Sequence, residues 1–388
     1  MAKYDYNVVV VGGGTAGLIS AYVANLLGAK VALIEAGDMG GDCLNRGCVP
    51  SKSLIASARA AASIGSASQL GVSAVTQSID YEAIHARIHR IIAAIAPVDS
   101  AERYRELGVD VMQERAEWVD GHTLKVGERK ITARRIVIAT GSRPRALDVP
   151  GSELPHVYNS DTIWGMRSLP KAMTVIGGGP IGVELASAYA KLGVNITLLV
   201  AGTQLLDMLT SEQSAIVATS VTSAGVSIVL NAQTKEITNN DVITDTETYP
   251  ADAVLVAIGR APHTSWLKDS GPVLKDNGTI SVDTKLRTSI KSVYACGDVT
   301  GGYQFTHVAA HEAGYAGSNA ALDWLQIRRA PRYNAIPWSI YTSPEVAHVG
   351  KLVKDVSETD EVTMVPLDDV DRAKTDGTTR GGIWLVSD

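Results

Sequence analysis

The chain has 388 residues, 45% hydrophobic and 20% charged, with a formal net charge of −6, which is too long for one hydrophobic core and implies two or three domains. A mildly acidic chain without a Lys/Arg block excludes nucleic acid as an expected partner. Three cysteines exclude a disulfide framework, no apolar run approaches the roughly 20 residues of a membrane span, and Val8–Val11 is too short for a secretory h-region, so a cytoplasmic protein is expected.

Asn7-Val8-Val9-Val10-Val11 reads as a buried strand that runs into Gly12-Gly13-Gly14-Thr15-Ala16-Gly17. Gly12, Gly14 and Gly17 fill the three glycine positions of a dinucleotide fingerprint: tight turn, close approach to a pyrophosphate, and close helix–strand packing. A helix over 18–27, Gly28 and a strand over 30–34 complete a βαβ pattern. Glu35 then lands at the strand end, where a carboxylate accepts from ribose hydroxyls. A glycine-rich turn in an unrelated α/β sheet is the competing reading, and the flanking elements with Glu35 weigh against it.

Cys43 and Cys48 follow in Gly40-Gly41-Asp42-Cys43-Leu44-Asn45-Arg46-Gly47-Cys48-Val49-Pro50-Ser51-Lys52. A regular helix would hold their Cα atoms roughly 7.5 Å apart, whereas a disulfide needs less than about 7 Å. The backbone between them must therefore be irregular, which Gly47 permits, and Pro50 suits the first turn of a following helix. Arg46, Lys52 and that helix start add positive charge that favours thiolate. Taken alone, the pair is equally a redox dithiol or two structural cysteines. Half of a zinc site is a third reading, for which Cys296 is the only other thiol.

Residues 79–95 carry isoleucine at helical spacing, with His85 and His89 four apart. An apolar strand over 135–139 enters Thr140-Gly141-Ser142. The strand–glycine–helix pattern then returns: Met173–Ile176 is a strand, Gly177, Gly179 and Gly182 repeat the triplet, a helix runs to Leu192, and 194–200 is the next strand. Val200 takes the place that Glu35 holds in the first pattern, so the acid for a free 2′-hydroxyl is missing and the choice of NADH or NADPH is open. A strand over 253–258 enters Gly259-Arg260-Ala261-Pro262, and another over 292–295 leads into Cys296-Gly297-Asp298. Two fingerprints in one chain imply two dinucleotides, one of them a resident flavin.

In this order the motifs resemble the flavoprotein disulfide reductases, the pyridine nucleotide-disulfide oxidoreductase family of dihydrolipoamide dehydrogenase, glutathione reductase and mercuric reductase. The likeness runs over nearly the whole chain: first triplet, Cys-x4-Cys, Ala-Thr-Gly, second triplet with Glu184, Gly-Arg-x-Pro and Gly-Asp. Asp99–Tyr104 and Asp371-Arg372-Ala373 look most like the mercuric-reductase-like branch, while the Cys-Leu-Asn-Arg-Gly-Cys loop also looks like dihydrolipoamide dehydrogenase. The resemblance implies an α/β fold with two Rossmann-like domains, for FAD and NAD(P), plus a truncated α+β dimerisation domain. Residues 1–150 and 266–333 would form a discontinuous FAD domain, 151–265 the nicotinamide domain and 334–388 part of the interface domain of a homodimer.

By the same resemblance Cys48 is the thiol at the flavin and Cys43 the interchange thiol. Lys52 lies near the flavin and pairs with Glu184. Gly12, Gly14, Gly17, Glu35 and Asp298 contact FAD, Gly177, Gly179 and Gly182 contact NAD(P)H, and Gly41, Thr140, Gly141 and Gly259 are further cofactor contacts. The implied activity passes electrons from NAD(P)H through flavin to a Cys43–Cys48 disulfide, then to a small-molecule disulfide or a metal ion. The alternatives are a quinone-reducing diaphorase and a non-catalytic FAD-binding subunit. Family members continue beyond the position of Asp388 with a His-Glu pair that activates the interchange thiol. No histidine here has that context, so slow disulfide turnover is expected of this chain.

Overall fold

Valine at positions 8 to 11 gives β1 (Tyr6–Val11) two apolar faces, and those four residues are buried on both. The computed structural model describes residues 4–73, 78–267 and 269–387. The chain divides into two units. One comprises Met1–Pro50, His89–Arg143 and Arg260–Tyr333, the other Ser51–Ile88, Pro144–Gly259 and Asn334–Asp388.

In the first unit β1 runs parallel to β2 (Val31–Ile34) on one side and to the strand Arg129–Ile138 on the other, with Val10 opposite both Leu33 and Val137. Side chains alternate across a strand. Val8 and Val10 accordingly enter a core under α1 (Thr15–Leu26) and the helix Thr306–Leu322, while Val9 and Val11 enter a second core around Trp118. With one Phe in the chain, these cores are built chiefly from Val, Ile, Leu and Ala. The two helices meet through small side chains: a Cβ on Gly317 would lie 2.5 Å from the Ser20 carbonyl oxygen, so only glycine admits this approach.

The second unit holds five parallel strands in the order Val226–Leu230, Asn195–Val200, Ala172–Ile176, Ala253–Val256 and Val157–Asn159. The helix Pro180–Lys191 follows the middle strand. Residues 334–388 contribute two antiparallel hairpins, Trp338–Ile340 with Val346–His348 and Glu361–Pro366 with Gly382–Ser387. No helix among the described residues is long and apolar enough to cross a membrane.

Several expected elements differ in extent, three of them for a visible physical reason. The strand expected over 135–139 is the ten-residue Arg129–Ile138, whose polar first part pairs antiparallel with Thr123–Val126 while its apolar end pairs parallel with β1. The helix expected from residue 18 begins at Thr15, because Gly14 is its N-cap and Gly17 already lies in its first turn. The helix expected from residue 79 begins at Tyr81, since the Asp80 carboxylate accepts from the Ala83 N–H at 2.9 Å and caps it.

Asp323, 5% exposed, closes the first unit. It accepts from Arg135 Nε at 2.8 Å, Arg328 Nε at 2.6 Å and Tyr294 Oη at 2.8 Å. Burial pushes its carboxyl up, and the hydrogen bonds from Arg135, Arg328 and Tyr294 outweigh that and leave it below the ordinary carboxylate range. A depressed folded-state pKa stabilises above the unfolded value, about 3.9, and that stability is lost as pH falls through the folded value. Asp323→Asn is expected to cost about 3 kcal/mol at neutral pH, read as a lower urea midpoint. The gap between variant and parent should narrow on acidification below about pH 4.

Candidate functional site

The two glycine turns are near copies. Gly12 and Gly177 have left-handed φ of 111° and 120°, and a Cβ on either would lie 2.3 Å from a carbonyl oxygen, that of Ala139 or of Ala257. A Cβ on Gly17 would lie 1.7 Å from Gly12 O, and one on Gly182 2.0 Å from Gly177 O. The N-caps of the two helices, Gly14 and Gly179, have no capping side chain, and neither first turn carries an acid. Each helix thus presents free N–H groups and a partial positive charge to an anion. A Cβ on Gly13 would meet the Glu35 side chain at 2.9 Å, and one on Gly178 would meet Val200 at 2.8 Å. Val200 therefore does occupy the position of Glu35. Glu35 accepts from the N–H groups of Gly13 and of Gly37, the latter at 2.6 Å. Gly13 and Gly178 were passed over in the sequence, although each stands in an unbroken glycine triplet.

In the first unit the turn is joined to the cysteine loop by backbone. Gly14 bridges Gly40, and a Cβ on Gly41 would lie 2.6 Å from Gly14 Cα. Gly40 and Gly41, with φ of 87° and 58°, start the short helix α2 (Gly41–Asn45), which carries Cys43. The helix then breaks at Arg46-Gly47, and Cys48 is the first residue of α3 (Cys48–Ser66). The expected irregularity is present. Gly47 serves it by close approach, since a Cβ there would lie 3.1 Å from Asp42 O, and its φ is not positive.

Both cysteines are thiols. Cys43 hydrogen-bonds Cys48, and Cys48 Sγ lies 3.1 Å from Thr306 Oγ1 at the start of the helix Thr306–Leu322. The Cys43 thiol is pushed far up, first by its hydrogen bond to Cys48 and then by burial, with Asp99 adding a smaller push. The two cationic side chains expected beside it are each held by a carboxylate. Arg46 pairs with Asp38 at 3.0 Å and approaches Asp42 at 3.9 Å, and Lys52 is engaged with Glu184. Carboxylates, near in sequence for Arg46 and distant for Lys52, pair with the cations that the loop composition promised to the thiols.

Thr140 Oγ1 donates to the His263 carbonyl at 2.8 Å, and Gly141, with φ of 66°, accepts from the His263 N–H at 3.0 Å. Asp298 accepts from Ser142 Oγ at 2.6 Å, and Ser142 in turn accepts from Arg260 Nε at 2.7 Å. Ser142 and Arg260 were read only as parts of motifs. Their contacts join segments 118 and 156 residues apart, which no local signal reveals.

In the second unit Lys52 Nζ donates to Glu184 Oε2 at 3.1 Å and lies 4.4 Å from the centre of the Tyr341 ring. The Tyr341 N–H donates to Glu184 Oε1 at 3.0 Å. Glu184 is 7% exposed, so the pair expected between these residues is present and a backbone donor completes it. Gly259, with φ of 103°, accepts from the Arg145 N–H at 2.9 Å.

A family model described as pyridine nucleotide-disulphide oxidoreductase matches residues 6–313. The chain belongs to this family. It is 33% identical over 396 residues to a dihydrolipoyl dehydrogenase of Chlamydia pneumoniae, covering 99% of this chain and 84% of that one. Against a mercuric reductase of Bacillus cereus the identity is 30% over 399 residues, covering 100% of this chain and 63% of the relative. Among solved structures it is similar to the Cu(II) complex of the HOCl-induced flavoprotein disulfide reductase RclA from Escherichia coli, with TM-score 0.86 and 28% identity over 100% of this chain and 87% of that one.

As a pyridine nucleotide-disulphide oxidoreductase the chain is an enzyme. Its buried Glu184 is paired with Lys52. Lys52→Met is expected to cost about 1–2 kcal/mol, discounted because the Lys52 side chain is 39% exposed. In urea denaturation, Glu184→Gln added to Lys52→Met should recover part of that loss.

Proposed function

We propose that this oxidoreductase holds FAD at Gly12, Gly14 and Gly17 with Glu35, Gly41, Thr140, Gly141 and Asp298, and NAD(P)H at Gly177, Gly179, Gly182 and Gly259. Electrons then leave through the Cys43–Cys48 pair to a disulfide or metal-ion acceptor. The supporting observation is the contact of Gly41 with Gly14, which sets the dithiol loop backbone-to-backbone against the first dinucleotide turn. The residues present fit both cofactors: two uncapped helix starts, each a cradle that a side chain at the third glycine would close. When bound, the pyridine nucleotide and the flavin supply hydride transfer and two-electron exchange with a dithiol.

The chain's own groups divide the rest of the work. Lys52, oriented by Glu184 and the Tyr341 ring, supplies fixed positive charge. Cys43 attacks the acceptor's S–S bond as thiolate, releasing one thiol and leaving a mixed disulfide. Cys48 then displaces it, so that the Cys43–Cys48 bond forms and two electrons and two protons pass to the acceptor. The high proton affinity of Cys43 makes its deprotonation the demanding part of this sequence. We assign residues 1–150 and 266–333 to FAD binding and 151–265 to the nicotinamide. The hairpins of 334–388, with Ile383 and Leu385 exposed, are assigned to contact with a second copy.

Cys43→Ser is expected to abolish reduction of a disulfide or metal ion while leaving NAD(P)H oxidation by a small quinone, measured side by side on the flavin-loaded chain. Retained disulfide reduction would overturn the dithiol route. Glu35→Ala is expected to weaken flavin retention roughly tenfold, and Val200→Ala to change nicotinamide affinity far less. Equal effects would mean that the two turns do not divide the cofactors in this way.

A further inference from the structure

One guanidinium in the first unit serves two carboxylates. Arg260 Nε donates to Ser142 Oγ at 2.7 Å and Nη2 to the Ser142 carbonyl at 2.9 Å, while Nη2 also forms a short ion pair with Asp42 Oδ2. Asp298 Oδ2 accepts from Ser142 Oγ at 2.6 Å and stands 4.0 Å from Arg260 Nε. The Arg260 side chain is 14% exposed, against 37% for Asp42 and 22% for Asp298. Asp42 immediately precedes Cys43 on α2, and Asp298 follows Gly297, whose φ is 77°.

We propose that Arg260 is a positioning residue shared between Asp298 and Asp42: through Ser142 it aims Asp298 at a sugar-alcohol diol of the flavin cofactor while tethering the residue before Cys43, so the two acids compete for one cation. The inference rests on the reading of Asp298 as a flavin ligand and deepens it. A planar fork suits this task because it can face three oxygens at once, which a lysine ammonium on a flexible stem does less well.

The groups facing Asp298 are Ser142 from the strand Ser142–Pro144, Arg260, Asp42 from α2, and Glu312 from the helix Thr306–Leu322. Burial holds the Asp298 carboxyl above its ordinary value, the Ser142 hydrogen bond and Arg260 pull it back only in part, and Asp42 adds to the rise. Loss of Arg260 must therefore let Asp298 take its proton at a higher pH. Loss of the Asp42 charge must do the reverse, and it also releases the guanidinium to Asp298. A cluster that merely packs would respond to both changes in the same direction.

The test follows FAD retained by the chain after gel filtration, read by flavin absorbance, from about pH 8 down to about pH 4. Arg260→Met is expected to move half-release up by about one pH unit, a tenfold change in proton concentration, and Asp42→Asn to move it down. Arg260→Lys should recover part of the Arg260→Met shift. Shifts of the same sign, or none, would overturn the proposal. A parent chain that retains no flavin at any pH would instead refute the cofactor reading. The proposal is then decided by carboxyl ¹³C titration of Asp298 in the same chains, assigned with Asp298→Asn. Opposite displacements in the two variants would sustain it, and equal ones would sink it.

Discussion

A carbonyl oxygen with no room for a methyl group above it sets the geometry on which the candidate site depends. Gly12 O lies under Gly17, and Gly177 O under Gly182, so closely that either helix can start only where glycine stands. With the helix drawn onto the strand end, the residue closing the next strand, Glu35 or Val200, falls beside the central glycine. From there a single run of backbone leads from Gly14 to Gly41, and α2 delivers Asp42 and Cys43. Packing of main chain on main chain joins the dithiol loop to the first turn, and side chains such as Asn45 and Arg260 then hold it.

Electrostatics around the thiols follows a different rule from the one that composition suggests. Cationic side chains near Cys43 and Cys48 lie within reach of carboxylates: Arg46 with Asp38, Lys52 with Glu184, Arg260 with Asp42. In a partly buried setting, an ion pair with good geometry outcompetes a more distant thiol for the same charge. At Cys43 the hydrogen bond to Cys48, burial and the carboxyl of Asp99 favour the protonated thiol and outweigh the opposing hydrogen bond from Thr306.

Features carried by adjacent residues were legible in the sequence. The valine run, both glycine triplets, the helix break between Cys43 and Cys48, and the equivalence of Glu35 and Val200 need only spacing and the conformational freedom of glycine. The Lys52–Glu184 contact, 132 residues apart, was reached by family resemblance and not by physics. Donors and acceptors without a side-chain signature stayed hidden, such as the Tyr341 N–H on Glu184. So did the polar front half of Arg129–Ile138, because only its antiparallel neighbour shows that Ile131 and Ala133 face inward.

The strand Val293–Ala295 pairs with Arg129–Ile138 in the sheet that β1 opens at Tyr6. As a nascent chain leaves the ribosome, that sheet lacks one strand until nearly 300 residues have emerged. The five-stranded parallel sheet of the other unit is complete by Val256. The later-encoded sheet can therefore close first, while Ile136, Val137 and Ile138 wait with an unpaired edge. Such long-range pairing is slow, and an open apolar edge is prone to wrong partners. Until residue 293 is made, that apolar edge stays open to wrong strand partners.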